Sequence, residues 1–438
     1  MYIEKIETNF NKNIYLKTKE IKADKYKESI EKNVINVYPE VKYQEFIGFG
    51  GAVTQAVGIA YMRLPLEKRK NFLEAYFEGC NYNLCRIPIG SCDFSSEKYS
   101  YSYKKDLQDF NIDKDKEYII PIIKDIQRIK KDVKFIASPW SPPSFMKSNK
   151  MLTLGGKLLK KYYDTYAKYL LKYIKSYQEI GINIDYITVQ NEPNAMQMWE
   201  SCLFNSDEEL DFIKNYLYPI FKNNNINTEI LIYDHNKEKM YSRAKEIIPS
   251  CDKEIAGIAY HWYTGDHFEN IELCREQFKN KLFIHTEGCV GYTKFSQEEE
   301  IKNAEIYAHD IIGDLTCGCN GYVDWNILLD YNGGPNHKRN YCNSPIMLNK
   351  EENDYYRNLS YFYINQFARV IKPNAKRLAI SRYTTNLEVI AFENTDKTIG
   401  LVILNKNNEK YEYNLCINDI KICDSLDSHS IVSYAINK

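Results

Sequence analysis

Eight short runs of β-branched and aromatic residues recur through the middle of this chain, and each ends in a glycine, polar or aromatic residue. Between them lie stretches with apolar residues at helical spacing, such as 158–180 and 207–221, the latter with Ser206 as a candidate N-cap. Strands that alternate with helices predict an α/β fold. Eight of them favour a (β/α)8 TIM barrel, although a doubly wound open sheet would give a similar pattern. The runs cover residues 46–51, 84–87, 134–137, 186–190, 229–233, 255–260, 282–285 and 321–325.

The two ends of the chain have a different pattern. Residues after 372 contain short β segments separated by turns rich in asparagine, aspartate and lysine, which predicts an appended β-sandwich domain. The first forty residues also resemble strands and lack the barrel pattern. At 438 residues the chain can hold one large domain and a smaller one. We therefore expect N-terminal strands at 1–42 that join the β-sandwich, a catalytic barrel at 43–372 and the C-terminal β-sandwich at 373–438.

The composition argues against several classes of protein. Because the formal net charge is −1, there is no electrostatic reason to expect nucleic acid or an anionic membrane as partner. No run approaches the roughly 18–20 apolar residues of a membrane-spanning helix, so no membrane insertion is expected. No secretory signal is visible, and the 12 cysteines are scattered without a CxxC pair. These features predict a reduced, cytoplasmic protein and set no expectation for its oligomeric state.

Two glutamates each follow directly on a predicted strand. Glu192 lies in Asn191-Glu192-Pro193 after the fourth strand, and Glu287 follows Thr286 after the seventh. A barrel brings the carboxyl ends of its strands together, so the two carboxylates can meet. Cleavage of a glycosidic bond with retention needs two carboxyl groups about 5–5.5 Å apart, one as acid/base and one as nucleophile. Taken singly, Glu192 could be a solvated turn residue and Glu287 an ordinary charge at a helix N-terminus.

Other strand ends carry residue types suited to a sugar-binding basin. Indoles offer flat apolar faces to pyranose rings, and polar groups recognise hydroxyls. The alternatives are that the tryptophans belong to the core and that the arginine pairs with a surface acid. The residues at or just beyond these ends are Arg86, Asp93, Trp140, Asp234, His235, His261, Trp262, Tyr263, Asp324, Trp325 and Asn326.

No metal and no cofactor are expected. His235, His261 and His285 come from different strand ends, and HxH and HExxH spacings are absent from the sequence. The glycine-rich segment at 48–51 is too short for a nucleotide-binding loop and lacks its lysine.

A series of short motifs occurs in order along the chain: Gly48-Phe49-Gly50-Gly51-Ala52, Asn83-Leu84-Cys85-Arg86-Ile87-Pro88, Ser91-Cys92-Asp93-Phe94-Ser95, Ala137-Ser138-Pro139-Trp140, Asn191-Glu192-Pro193, His261-Trp262-Tyr263, Thr286-Glu287, Asp324-Trp325-Asn326 and Gly333-Gly334-Pro335-Asn336. Together they resemble glycoside hydrolase family 30, in the branch that contains the glucosylceramidases. The resemblance runs from about residue 46 to residue 345. It implies a (β/α)8 barrel with a β-sandwich built from both chain ends. It also implies a retaining mechanism, with Glu192 as acid/base and Glu287 as nucleophile.

The resemblance implies roles for further residues. Tyr263 would contact the substrate and, with Arg86, orient and polarise Glu287, while His261 would support the site. Phe145 stands where the family commonly has a tryptophan, so contacts with the leaving group would differ. The side chains that would hold the sugar are Asp93, Trp140, Asn191, Trp325 and Asn340.

The expected activity is that of a retaining β-glycosidase of the glucosylceramidase type, which hydrolyses β-glucosides without a cofactor. The partner would be a carbohydrate or glycoside substrate. β-Xylosidase, β-fucosidase and β-1,6-glucanase activities are alternatives within the family; a non-catalytic carbohydrate-binding barrel and a metal-dependent hydrolase are alternatives outside it. Because Glu192 must enter the reaction protonated, we expect burial or a neighbouring carboxylate to raise its pKa.

Overall fold

The computed structural model describes residues 2–25, 32–292 and 296–437. Within these ranges, four strands precede the barrel and belong to a separate sheet. The last of them pairs with two later strands, one along residues 35–46 and the other along residues 34–37, so both of its edges are paired. These strands are β1 (Ile3–Asn9), β2 (Ile14–Ile21), β3 (Asp24–Lys25) and β4 (Val34–Phe46).

The next eight strands are parallel and close into a barrel, which confirms the predicted fold class. The eighth pairs with the first to complete the closure. Gly50 lets the first two strands approach, because a Cβ there would lie 2.0 Å from the carbonyl oxygen of Leu84. The barrel strands are β5 (Gly48–Ala52), β6 (Leu84–Ile89), β7 (Lys134–Pro139), β8 (Tyr186–Thr188), β9 (Glu229–Asn236), β10 (Gly257–His261), β11 (Leu282–Glu287) and β12 (Gly321–Asn326).

Helices connect the barrel strands. The expectation that Ser206 caps a helix is wrong by one residue: the Asn205 side chain accepts from the N–H of Glu208 in a capping box. Among the helices of the described residues, none is both long and apolar enough to cross a bilayer. The helices are α1 (Gln55–Arg63), α2 (Leu66–Phe77), α3 (Asp113–Glu117), α4 (Ile119–Ile129), α5 (Tyr163–Glu179), α6 (Ser206–Phe212), α7 (Tyr218–Asn223), α8 (Met240–Ile247), α9 (Phe268–Gln277), α10 (Gln297–Cys317) and α11 (Leu359–Val370).

Beyond the barrel, a short hairpin leads through α11 into six further strands. The amide nitrogen of Gln366 in α11 donates to Thr8 Oγ1 at 2.8 Å, and its oxygen accepts from Ser433 Oγ at 2.6 Å, so α11 ties the barrel to both chain ends. The hairpin is β13 (Ile346–Leu348) and β14 (Tyr355–Arg357); the later strands are β15 (Ala375–Arg382), β16 (Leu387–Glu393), β17 (Ile399–Asn405), β18 (Tyr411–Ile417), β19 (Ile420–Leu426) and β20 (Ser430–Ile436).

The N-terminal and C-terminal strands form one ten-stranded sheet in the order β2-β1-β20-β17-β16-β15-β4-β18-β19-β3. The sheet folds onto itself. Lys5 of β1 pairs with Asp424 of β19 at 2.6 Å, although seven positions separate these strands in the order. The hydroxyls of Tyr413 in β18 and Tyr434 in β20 meet at 2.5 Å. Two packed layers result, which is the predicted β-sandwich built from both ends of the chain.

Candidate active site

Side chains inside the barrel lie in two layers. Successive inward positions on a strand are two residues apart, so each strand can contribute to both layers. The lower layer is apolar and consists of Leu84, Ile136, Tyr186, Leu231, Ala259, Ile284 and Val323. Two residues further along, five strands instead present fully buried polar side chains, namely Arg86, Ser138, Thr188, His261 and Thr286.

Asp234 joins this polar layer because β9 contains a bulge. It is the extra residue where β9 pairs with β10, and its backbone φ is +50°. Without the bulge, the pleat would turn Tyr233 inward, two residues after Leu231. Burial opposes ionisation of the Asp234 carboxyl, but Arg86 and His261 outweigh it and hold its pKa well below the usual range. The carboxylate accepts hydrogen bonds from Thr286 Oγ1 at 2.6 Å, Thr188 Oγ1 at 2.7 Å, Arg86 Nη2 at 2.8 Å and Ser138 Oγ at 2.9 Å.

Two donors fix the Glu287 carboxylate at the end of β11. Arg86 Nη1 donates to Oε2 at 2.5 Å, and the Tyr263 hydroxyl donates to Oε1 at 2.9 Å. Arg86 is itself anchored, since Nη2 also donates to Asn191 Oδ1 at 2.7 Å. Each oxygen of Glu287 therefore has its own donor, and one of the two is a permanently charged guanidinium.

Glu192 is held more loosely at the end of β8. Its side-chain oxygens lie 3.4 Å from His261 Nδ1, 3.5 Å from Gln197 Nε2 and 3.9 Å from His235 Nδ1. The backbone is more firmly placed: the Glu192 N–H donates to the carbonyl oxygen of Asp234 at 2.9 Å, and φ is +47°. The side chain can therefore adjust while the strand end stays fixed.

The electrostatics of Glu192 correct one expectation. Burial disfavours the charged form of His261, but the negative charges of Glu287, Asp234 and Glu192 outweigh it and raise the pKa of His261 to about 9. Burial also favours protonated Glu192, yet the hydrogen bond and positive charge of His261 outweigh that effect and lower the pKa of Glu192. The expectation of a raised pKa for Glu192 is therefore wrong: its pKa is lowered, and the pKa of His261 is raised instead.

The two glutamates are close enough to act on one bond. One oxygen of Glu192, one oxygen of Glu287 and a ring nitrogen of His261 all lie within 4.8 Å of one another. Retaining glycosidases have carboxyl groups roughly 5–5.5 Å apart, and inverting ones roughly 6.5–9.5 Å. A metal ion held by these same three groups would have to displace the proton that the neighbouring carboxylates stabilise on His261.

The glutamates line a cavity of ≈ 440 Å³ at the carboxyl ends of the barrel strands. The Trp140 and Trp325 indoles stack in its wall with ring centroids 5.4 Å apart. Asn340 Nδ2 donates to Asp93 Oδ2 at 3.0 Å, and burial raises the pKa of Asp93 to about 7. Of the residues selected from sequence, Arg86 and His261 are fully buried. Asp234, Trp262, Asp324 and Asn326 are also buried and are not among the residues that line the cavity. The selected residues that do line it are Asp93, Trp140, Asn191, Glu192, His235, Tyr263, Glu287, Trp325 and Asn340.

The cavity also includes residues that sequence reasoning did not select. Cys289, Tyr341 and Cys342 lie in loops after β11 and β12, next to motifs that had been recognised. Gln197 and Trp199 come from the connection after β8, where the sequence carries no comparable signal.

Comparisons with known proteins agree with this architecture. Residues 46–371 match the glycosyl hydrolase family 30 TIM-barrel domain, and residues 374–434 match the glycosyl hydrolase family 30 β-sandwich domain. The lysosomal acid glucosylceramidase of Mus musculus is 28% identical over 92% of this chain and 83% of its own length. Among solved structures, SrfJ from Salmonella typhimurium superposes with a TM-score of 0.97 at 32% identity over the full length of both chains. The endo-β1,6-glucanase BT3312 has a TM-score of 0.91 at 27% identity, covering 100% of this chain and 99% of its own.

The chain belongs to glycoside hydrolase family 30. Its class of reaction is hydrolysis of glycosidic bonds, and its substrate contains a carbohydrate.

Proposed function

We propose that the protein is a retaining β-glucosidase of the glucosylceramidase type, with Glu287 as nucleophile and Glu192 as acid/base. The observation that carries this proposal is the spacing of the two carboxylates, whose facing oxygens lie within 4.8 Å. An inverting enzyme needs a wider gap, because its base must activate a water on the far side of the sugar.

In the first step Glu287 attacks the anomeric carbon while Glu192 protonates the leaving oxygen. Arg86 and Tyr263 hold the Glu287 carboxylate in one orientation, so little rearrangement is needed before attack. Because Arg86 binds the amide oxygen of Asn191, the NH2 group of Asn191 is turned away from the guanidinium. We assign that group to the sugar 2-hydroxyl, a contact that strengthens as positive charge develops on the ring.

The proton for the leaving group comes from the His261–Glu192 pair. A bound leaving group displaces water from Glu192 and so favours its neutral form, which draws the proton from His261. When the glycosyl-enzyme forms, Glu287 loses its negative charge and Glu192 gives its proton to the leaving oxygen. Glu192 is then ionised and can act as base on the water that hydrolyses the intermediate.

Exposed apolar side chains lie next to Gln197, on the Glu192 side of the cavity. Met196 and Met198 are each 68% exposed, and Leu154 is 43% exposed. The Leu154 N–H donates to the carbonyl oxygen of Gln197, whose side chain lines the cavity beside Glu192. An acid that protonates the leaving oxygen must face the leaving group. An alkyl or lipid chain would cover these exposed apolar side chains, as in a glucosylceramide.

A β-1,6-glucanase is the second candidate. Its support is Trp199, an indole in the cavity wall that could stack on a second glucose, together with the similarity to BT3312 over the whole chain.

Two substrates separate these candidates. The proposal expects a higher kcat/KM for n-octyl β-glucoside than for gentiobiose, a β-1,6-linked disaccharide; the reverse order would favour the glucanase. Replacing Met196 and Met198 together by Gln should lower kcat/KM for the octyl glucoside about fivefold, as loss of roughly 1 kcal/mol of apolar contact would. Met62→Gln, at a methionine 38% exposed on α1, is the matched control.

The stereochemistry is tested separately. Proton NMR during the first minutes of hydrolysis should show β-glucose before mutarotation, whereas α-glucose first would contradict retention. Activity should survive exhaustive chelation; loss that added metal restores would favour the metal-dependent alternative.

A further inference from the structure

Two cysteines with no part in the proposed chemistry lie side by side in the cavity wall. The Sγ atoms of Cys289 and Cys342 are 3.0 Å apart, and both thiols are free. Cys289 lies two residues beyond Glu287, and Cys342 lies in the loop after β12. The sulfurs of a disulfide are roughly 2.05 Å apart, so closing this bond requires a movement of about 1 Å.

The backbone around the two cysteines is already paired. The N–H of Asn343 donates to the carbonyl oxygen of Val290 at 3.0 Å, and Gly291 forms an antiparallel bridge with Cys342. The thiols are therefore held together by their loops. Both residues line the cavity, so a small oxidant can reach the pair by the route that substrate takes.

We propose that Cys289 and Cys342 form a redox-active dithiol, and that its two-electron oxidation to a disulfide lowers the activity of the enzyme. One thiolate attacks the oxidant and forms a covalent adduct. The second thiolate attacks the adducted sulfur, which forms the S–S bond and releases the reduced oxidant. The two thiols lose two protons and two electrons; when the oxidant is hydrogen peroxide, the products are the disulfide and two waters.

The bond would act on both ends of the sugar site. The Tyr263 hydroxyl that donates to Glu287 also lies 3.5 Å from Cys289 Sγ. Cys342 follows two residues after Asn340, the donor to Asp93. Drawing the sulfurs together would displace these contacts by a fraction of the 1 Å movement. Since a misplacement of about 1 Å can cost roughly 100-fold, we expect this smaller displacement to lower kcat/KM about tenfold.

Oxidation should be faster in alkaline solution. The contact with Cys342, burial and the negative charge of Glu287 raise the pKa of the Cys289 thiol well above its usual range. Because the thiolate is the attacking species, the test is best run at about pH 8.5.

The crosslink can be mapped without reference to activity. The folded protein is treated with diamide, which accepts two protons and two electrons from a dithiol and spares the exposed Met196 and Met198; it is then alkylated and digested with trypsin. Cleavage after Lys281, Lys294, Arg339 and Lys350 yields peptides 282–294 and 340–350, each with one cysteine. We expect these peptides joined, with a loss of about 2 Da relative to their summed mass, and separated by dithiothreitol.

Matched variants define the outcome. Cys342→Ser and Cys289→Ser should give no joined peptide, whereas Cys423→Ser, at an exposed cysteine of β19, should behave like the parent. The proposal would be overturned if one equivalent of diamide were fully consumed without forming this crosslink. It would also be overturned if Cys289 or Cys342 were crosslinked to a different cysteine.

The activity measurement rests on the proposed function, but the crosslink does not. Each protein is compared with its own reduced form on an aryl β-glucoside. Oxidation should inhibit the parent and Cys423→Ser, leave Cys342→Ser at its reduced rate, and be reversed by dithiothreitol. A crosslinked parent with unchanged kcat/KM would overturn the inhibitory role. A parent that is inactive even when reduced would instead refute the β-glucosidase assignment.

Discussion

Glu287 and Glu192 face the same cavity, but the strand ends that carry them differ. At the end of β11, Glu287 has a donor within 2.9 Å of each oxygen, and one donor is the buried Arg86. At the end of β8, the nearest side-chain partners of Glu192 are 3.4–3.9 Å away, and two of the three are histidines.

The difference fits two different tasks. A nucleophile works best as an oriented carboxylate that keeps its partners throughout the reaction. An acid/base must gain and lose a proton in each turnover, so loose contacts with titratable neighbours suit it. His261 links the two regions, because it contacts Glu192 and its charge is stabilised by Glu287.

Replacing the tightly held carboxylate should have the largest effect. We expect Glu287→Gln to lower kcat by on the order of 10⁴–10⁶-fold on every substrate, because the covalent step loses its nucleophile. Steady-state kinetics on an aryl β-glucoside measure the loss, and a thermal melt checks that the variant is folded. Near-parental activity in a folded variant would show that Glu287 is not the nucleophile.

Replacing the loosely held carboxylate should have an effect that depends on the leaving group. We expect Glu192→Ala to lose roughly 10²–10⁴-fold on an alkyl β-glucoside, which needs protonation. With a dinitrophenyl β-glucoside, glycosylation should persist, so a burst of phenol precedes slow turnover. Azide, which needs no base, should restore the rate and yield the β-glucosyl azide. An α-azide would assign the nucleophilic role to Glu192 and reverse the comparison.

Much of this arrangement could be predicted from the sequence. Several barrel strands end where an apolar run meets a polar residue, and parallel strands must place those ends together. That reasoning selected Glu192, Glu287 and Arg86. Arg86 binds Glu287 directly and is linked to Glu192 through Asp234 and His261. The sandwich could be predicted because its alternation differs from that of the barrel.

Other parts depend on contacts that no local pattern shows. Asp234 faces inward only because one extra residue in β9 reverses the pleat. The direction of the Glu192 pKa depends on His261, whose proton is stabilised by carboxylates from three other strand ends. Cys289 and Cys342 are far apart in sequence and meet only because two loops pair.

The comparison of Glu287 with Glu192 assumes that His261, which links them, is charged. The pH dependence of stability tests this assumption. The pKa of His261 is about 9 in the folded protein and about 6.5 when unfolded, so protonation stabilises the fold fully below pH 6.5. This contribution, about 3 kcal/mol, should be lost as pH rises from about 6.5 to 9. Urea unfolding of the parent and His261→Gln across this range measures it. Asp93 titrates in both proteins, so its contribution cancels in the difference, whereas the pKa of Glu192, which His261 lowers, changes with the substitution and is part of the measured difference. Parallel stability curves would mean that His261 is neutral.

The smallest effect concerns a single donor to Glu287. Tyr263→Phe removes the hydrogen bond to Oε1 while Arg86 still holds Oε2. A hydrogen bond to a charged group contributes roughly 1.5–3 kcal/mol, so kcat should fall about 10–100-fold. Because the glycosyl-enzyme places no negative charge on Glu287 and its hydrolysis restores that charge, hydrolysis should slow more than formation, and a burst of phenol should appear with the dinitrophenyl β-glucoside. Tyr341→Phe, at another tyrosine of the cavity wall, is the control and should lose less. Equal losses of activity in the two variants would mean that Arg86 alone keeps the Glu287 carboxylate in position.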